Sequence, residues 1–269
     1  MKKINNSTVR VVCFILAVLV VVGMCSFLLG IDKKETYTST PLNPPQIGSN
    51  LGSDNGYISF LGDSITTFDG WSNSDKYNST ISDNGFYYTS SKMSVTDTWW
   101  YQVADELGLG LCCNNSWDGA RVSNTKVNIP DGKTRAKEMH NDIFNVMPNV
   151  IVVYLGTNDL ANGVSLDVFS AAYAEMLSAI KTNYAAATVY CCTILPESRN
   201  ADKQNELISF NQAICELSEE YGCDVIDFYE NITDWDYLKD TFVDGSMRVH
   251  PNANGMDKLS NCAIDKMKG

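Results

Sequence analysis

Apolar and polar positions divide this 269-residue chain into stretches of different character. Lys2, Lys3 and Arg10 mark a short polar segment over residues 1–10. Val11 to Ile31 is then an almost wholly apolar run without a charge. At about 1.5 Å of helical rise per residue it can cross the ~30 Å hydrocarbon core of a bilayer. Asp32 to Gly56 carries Thr, Ser, Pro, Asn and Gly with few large apolar groups. Such a segment cannot bury enough surface to offset its ordering entropy, so it reads as a flexible linker. From Tyr57 to Gly269 short apolar runs alternate with segments of helical spacing, which suffices for one domain with a sizeable core.

Within that domain, residues 57–61, 109–113, 149–155, 187–194 and 223–227 read as strands. Helical patterns fall between them. Thr98 to Leu107 has an apolar face through Trp99, Val103 and Leu107, while Lys133 to Phe144 is charged and predicted half exposed. Leu166 to Ile180 and Lys203 to Tyr221 carry apolar residues at helical intervals, and a last helix is expected to start at Pro251. Strand alternating with helix argues for a central parallel five-stranded sheet covered on both faces, an α/β three-layer sandwich of flavodoxin-like type. Thr66 to Thr96 is the irregular region; a connection of that length is usually functional or mobile. Its aromatics Phe68, Trp71, Tyr77, Phe86, Tyr87 and Tyr88 fit either a substrate wall or a side lobe with its own small core.

Charge sharpens the division. The first 34 residues carry +4 and the whole chain −12, which leaves −16 on residues 35–269. So acidic a domain repels nucleic acid, and nucleic-acid binding is not expected. The basic residues before Val11 favour a cytoplasmic N-terminus, an uncleaved signal anchor and an extracytoplasmic domain. A cleaved secretory peptide is the alternative, although no good cleavage site lies between Met24 and Thr38. Seven cysteines fall in the domain (Cys112, Cys113, Cys191, Cys192, Cys215, Cys223 and Cys262), an odd number with two adjacent pairs on predicted strands. They read as small buried apolar residues rather than a disulfide framework. With two histidines and no C-x-x-C, neither a metal site nor a cofactor is expected.

Candidate chemistry gathers at the carboxyl ends of the strands, where open α/β sheets place their sites. Gly62-Asp63-Ser64-Ile65 follows the first strand, Gly119 lies after the second, Gly156-Thr157-Asn158-Asp159 follows the third, and Val249-His250-Pro251-Asn252 precedes the last helix. A serine hydroxyl needs a nearby base, and His250 can serve near neutral pH. Negative charge developing on a carbonyl oxygen needs donors fixed in advance, for which the backbone N–H groups of Ser64 and Gly119 and the amide of Asn158 are suited.

These four motifs, in this order across Tyr57–Gly269, resemble those of the SGNH (GDSL) hydrolases. The resemblance implies a serine esterase or acyl hydrolase with Ser64 as nucleophile, His250 as base, and Ser64, Gly119 and Asn158 as oxyanion donors. The family usually carries its aspartate three residues before the histidine, where this chain has Met247. Asp244, six residues before His250, can still orient the imidazole if three residues bulge out; otherwise the site is a dyad.

Trp71, Tyr87, Trp99 and Trp117 are weaker candidates for substrate contact. Trp99 and Trp100 are adjacent on a helix and are not expected both to face the core squarely. His140 is expected on the solvated surface, Asp63 and Asp159 as turn-shaping carboxylates, and Asn78 and Asn231 head glycosylation triplets. The expected function is a membrane-anchored esterase acting on small-molecule or glycan acyl esters, with O-acetyl groups on carbohydrate as the leading expectation. Lysophospholipase, thioesterase and arylesterase activity, or a surface binding protein without turnover, are the alternatives. The α/β-hydrolase elbow Gly-x-Ser-x-Gly does not fit, since Thr66 stands at its last position.

Overall fold

A computed structural model describes residues 55–72, 85–123, 129–141 and 145–269. The expected membrane run Val11–Ile31 and the linker through residue 54 lie outside the described residues, as do Tyr77 and Asn78. Among the described residues no helix is long and apolar enough to cross a membrane.

Five parallel strands form one sheet: β1 (Tyr57–Gly62), β2 (Gly110–Asn114), β3 (Val150–Tyr154), β4 (Thr188–Cys192) and β5 (Asp224–Ile226), in the order β2-β1-β3-β4-β5. That is the flavodoxin-like order, with its reversal between β1 and β3. Each strand lies within two residues of its expected bounds. The alternation of β3 shows why: Ile151 and Val153 enter the core on one face, Val152 and Tyr154 the core on the other. Each fully buried side chain of this kind contributes about 1.5–3 kcal/mol relative to exposure.

Helix α1 (Trp99–Glu106) packs with the C-terminal helix on one face. The other face is covered by the short α2 (Gly132–Arg135), by α4 (Leu166–Asn183) and by α5 (Gln204–Glu220). Helix α3 (Thr157–Ala161) starts just beyond β3, and α6 (Phe228–Asn231) and α7 (Tyr237–Asp240) lead to α8 (Ala253–Lys268).

Three expectations change. Among the described residues of the charged segment Lys133–Phe144, the helix ends at Arg135. The backbone of Met139 is captured instead by side chains: its N–H donates to Tyr184 Oη at 2.8 Å, and its carbonyl accepts from Ser59 Oγ at 2.7 Å. The last helix begins at Ala253 rather than Pro251, because Asn252 caps it through Oδ1, accepting from the N–H groups of Asn254 and Gly255. Trp99 and Trp100 are both fully buried. Trp99 meets Phe60, Tyr154 and Phe228 edge-on, while Trp71 from the irregular region covers Trp100. All seven domain cysteines are free thiols, four of them buried on strands.

Candidate active site

Ser64 opens a 3-10 turn, Ser64–Thr66, directly after β1. Asp63 caps that turn by accepting the Ile65 N–H at 2.9 Å. Thr67 Oγ1 donates to the Ser64 carbonyl at 2.8 Å, so the turn is held from both ends. The Ser64 hydroxyl lies 2.9 Å from His250 Nε2, and His250 Nδ1 lies 2.8 Å from Asp244 Oδ2. A carboxylate facing Nδ1 fixes the tautomer: Nδ1–H donates to Asp244 and Nε2 accepts from Ser64.

Asp244 reaches the histidine through the expected bulge. Residues 244–247 form a tight hairpin, with Asp244 N–H donating to Met247 O at 2.8 Å and Met247 N–H returning to Asp244 O at 2.9 Å. Gly245 sits in it at φ 61°, a conformation that side chains disfavour. Beyond the hairpin, Phe242 N–H donates to the His250 carbonyl at 2.8 Å.

Burial and charge act on the pair in opposite senses. Burial pulls the His250 pKa below its ordinary value, although Asp244 works against the shift. Burial pushes the Asp244 carboxyl up, but hydrogen bonds from His250 and Tyr87 outweigh it and hold the group below the usual carboxylate range.

On the other side of Ser64, Gly119 takes φ 69° in the loop after β2. Asn158 lies in the first turn of α3, and its Nδ2 donates to Ala120 O at 3.0 Å and to Asp63 Oδ2 at 3.3 Å. One carboxamide thus ties the Gly119 loop to the serine turn. Gly156 precedes it at φ 124°, where a Cβ would stand 2.8 Å from Ile194 Cδ1, so only glycine fits. Asp159 pins the far end of the Gly119 loop, accepting from Val122 N–H, Ser123 N–H and Ser123 Oγ at 2.9, 3.1 and 2.6 Å. Burial raises the Asp63 pKa to about 7, against the opposing Ile65 hydrogen bond and the charges of Arg199 and Arg135.

Several residues of the site carry no sequence signal. Arg135 is buried beneath the serine turn, donating to the carbonyls of Gly62 and Asn115 at 2.9 Å each, Pro130 at 3.1 Å and Arg121 at 3.4 Å. Burial lowers its pKa to about 10, still far above neutrality. Arg199 is paired with Glu197 through two bonds of 2.8 and 3.1 Å and donates to Asn158 Oδ1 at 3.3 Å. Both arginines sit in polar stretches that look like ordinary surface.

The weaker candidates separate. Tyr87 lies against His250, and Trp71 is half-buried beside Trp100 and Tyr101. Trp99 and Trp117, by contrast, are core residues at 0% and 2% exposure and offer no surface to a substrate. Trp117 is drawn inward because its indole N–H donates to Asn115 Oδ1 at 3.2 Å. His140 is half-buried rather than solvated, 2.8 Å from Tyr184 Oη. Of the irregular region, Phe68 and Tyr88 enter the domain core, so its described part is not a detached lobe.

Comparison with known proteins bears on the family and the fold. A multidomain esterase of Ruminococcus flavefaciens is 25% identical over 126 residues, 45% of this chain; the match spans only 16% of that relative's length. The crystal structure of a protein described as a GDSL-like lipase from Bacteroides ovatus matches with a TM-score of 0.59 at 25% identity, covering 81% of this chain and 99% of the other. The psychrotrophic esterase EstA of a Pseudoalteromonas species shares the fold at 16% identity, with a TM-score of 0.53 over 80% of this chain and 97% of its own. The family model for GDSL-like lipases and acylhydrolases matches residues 60–258, a span that includes every strand-end group described above. The chain therefore belongs to the GDSL-like lipase/acylhydrolase family, a family of serine ester hydrolases.

Proposed function

We propose that the domain is a serine esterase for short acyl groups, above all O-acetyl groups on carbohydrate, held outside a membrane by Val11–Ile31. The observation that carries the hydrolytic reading is the unbroken path from Ser64 Oγ through both nitrogens of His250 to Asp244, in links of 2.9 and 2.8 Å. In this reading Ser64 Oγ attacks the ester carbonyl as His250 Nε2 takes its proton, and Asp244 stabilises the imidazolium. The oxyanion is met by the N–H groups of Ser64 and Gly119 and by Asn158 Nδ2, which releases its longer bond to Asp63 to do so. His250 then protonates the departing alcohol, and a water deprotonated by His250 attacks the acyl-enzyme to release the acid and restore Ser64.

Ser64 and Asn158 are each only 3% exposed, which favours a small acyl group at the reacting carbon. Trp71 and Tyr101, half-exposed with ring centroids 5.7 Å apart, offer aromatic surface for a sugar ring. The anchor rests on the length and freedom from charge of Val11–Ile31. One observation favours longer acyl chains instead: Val243 and Met247, 61% and 44% exposed, flank Asp244 as an apolar rim. Rates on acetylated xylo-oligosaccharides, p-nitrophenyl acetate, p-nitrophenyl octanoate and a lysophospholipid separate the two. Acetyl esters should lead by tenfold or more; a lead for octanoate or the lysophospholipid would favour the second reading. Protease treatment of intact cells should remove the domain, whereas loss only after lysis would place it inside.

The acid is tested by Asp244→Asn, expected to lower kcat by roughly 10²–10⁴-fold. Near-normal turnover would instead mean a dyad. A pH profile checks the base. His250 must be neutral to accept a proton, and burial lowers its pKa, so activity should rise with pH through a midpoint below the ordinary 6.5 and then level off. A midpoint above 7 would contradict that environment.

A further inference from the structure

Among the described residues of the irregular region, Tyr87 lies directly against the catalytic histidine and its acid. Its ring stacks on His250 with centroids 3.3 Å apart and planes 11° from parallel, and its hydroxyl donates to Asp244 Oδ1. Lys92 Nζ stands 3.2 Å from the same ring centroid. Two groups at that distance cannot share one face of a six-membered ring, so Lys92 and His250 cover opposite faces. The ring therefore has no open face on which a sugar could stack, and its polar end is occupied.

The backbone around Tyr87 is tied to the catalytic elements as well. Tyr87 N–H donates to Thr67 Oγ1 at 2.9 Å, the same hydroxyl that bonds the Ser64 carbonyl. The neighbouring Tyr88 hydroxyl donates to the Pro251 carbonyl at 2.9 Å, one residue beyond the histidine. Gly85 O accepts the Asp118 N–H at 2.8 Å, beside Gly119. Residues 85–88 thus join the serine turn, the glycine loop and the histidine segment.

Asp244 needs such a partner. It stands on a two-ended hairpin between exposed residues, and its side chain is 22% exposed. A carboxylate there, held by His250 alone, could rotate or turn to solvent. We propose that Tyr87 is a positioning residue that fixes Asp244 through its hydroxyl and His250 through its ring, and that it contributes to turnover rather than to substrate binding. The proposal rests on the Ser64–His250–Asp244 reading above. Tyr87 does for this hairpin-borne acid what a closer chain connection would otherwise do. Its π-face also stays against the imidazolium formed during acylation, where ring quadrupole and cation attract.

The test is a double-mutant cycle on p-nitrophenyl acetate with the full chain: wild type, Tyr87→Phe, Asp244→Asn and the double variant, with Ser64→Ala as a control. Tyr87→Phe keeps the stacked ring and removes only the hydroxyl. It should lower kcat about tenfold with KM within twofold and thermal stability nearly unchanged, and it should add less than twofold to the loss in the Asp244→Asn background. Unchanged kcat overturns the proposal. So does a rise in KM at constant kcat, which would make Tyr87 a substrate contact. An equal loss in both backgrounds also overturns it, because Tyr87 would then act without Asp244. If Ser64→Ala or Asp244→Asn stays active, the underlying reading fails and this one with it; if both lose activity and Tyr87→Phe does not, only the present inference falls.

Discussion

Ser64→Ala is expected to lose at least about 10³-fold in kcat on p-nitrophenyl acetate, with the protein folded and nearly as stable as wild type. The size of the effect follows from what the hydroxyl does. It is the atom that bonds to the acyl carbon, and no other side chain stands within hydrogen-bond reach of His250 Nε2 to replace it among the described residues. What survives the substitution should come from the oxyanion donors, which remain in place. The fold should survive because the serine turn is held by Asp63 and Thr67 rather than by the Ser64 side chain. Circular dichroism and a thermal melt beside the kinetics separate lost chemistry from lost structure. Activity within tenfold of wild type would remove Ser64 from the reaction.

Arg135→Met should have the largest effect on stability, a loss of about 3–5 kcal/mol, as is usual for removing one partner from a buried charged network. Methionine fills much of the volume but donates nothing. The carbonyls of Gly62 and Asn115 would be left without the donor that now reaches both, and those of Pro130 and Arg121 would lose theirs. Asp63 and Asp159 would also lose a neighbouring positive charge. At roughly 2–4 °C per kcal/mol for a domain of this size, the melting temperature should fall by about 6–20 °C. A change under 2 °C would show that the guanidinium is not needed to hold the strand ends together. Because Gly62 precedes the Asp63–Ser64 turn, what folds should also be slower on p-nitrophenyl acetate.

Much of this arrangement can be read from the chain because periodicity and turn chemistry agree there. Val150–Tyr154 is apolar at every position, as a strand buried on both faces must be. Ser64, Gly119, Asn158 and His250 are visible because each sits at a strand end or before a helix, where topology brings them together. The bulge that returns Asp244 to His250 is visible as an Asp-Gly pair set three residues farther from the histidine than the family spacing. Elsewhere the pattern misleads. Lys133–Phe144 has helical spacing, yet Ser59 and Tyr184, distant in the chain, claim the Met139 backbone. Trp100 can be buried beside Trp99 only because Trp71 folds over it, a long-range contact that helical periodicity does not contain. Trp117, a candidate for substrate contact, is instead turned inward by the bond of its indole N–H to Asn115. Arg135, and the tie of Tyr87 to Asp244, are hidden for a related reason. Their partners are backbone carbonyls and a carboxylate brought close by the fold, and neither leaves a mark at fixed spacing.

The central claim is that Ser64, activated by His250 and Asp244, takes the acyl group. Covalent trapping tests it most directly. Treating the protein with a fluorophosphonate and mapping the adduct by peptide mass spectrometry should place one phosphonyl group on Ser64, in step with the loss of esterase activity, and Ser64→Ala should take up none. An adduct on another residue, or full inactivation with Ser64 unmodified, would contradict the account.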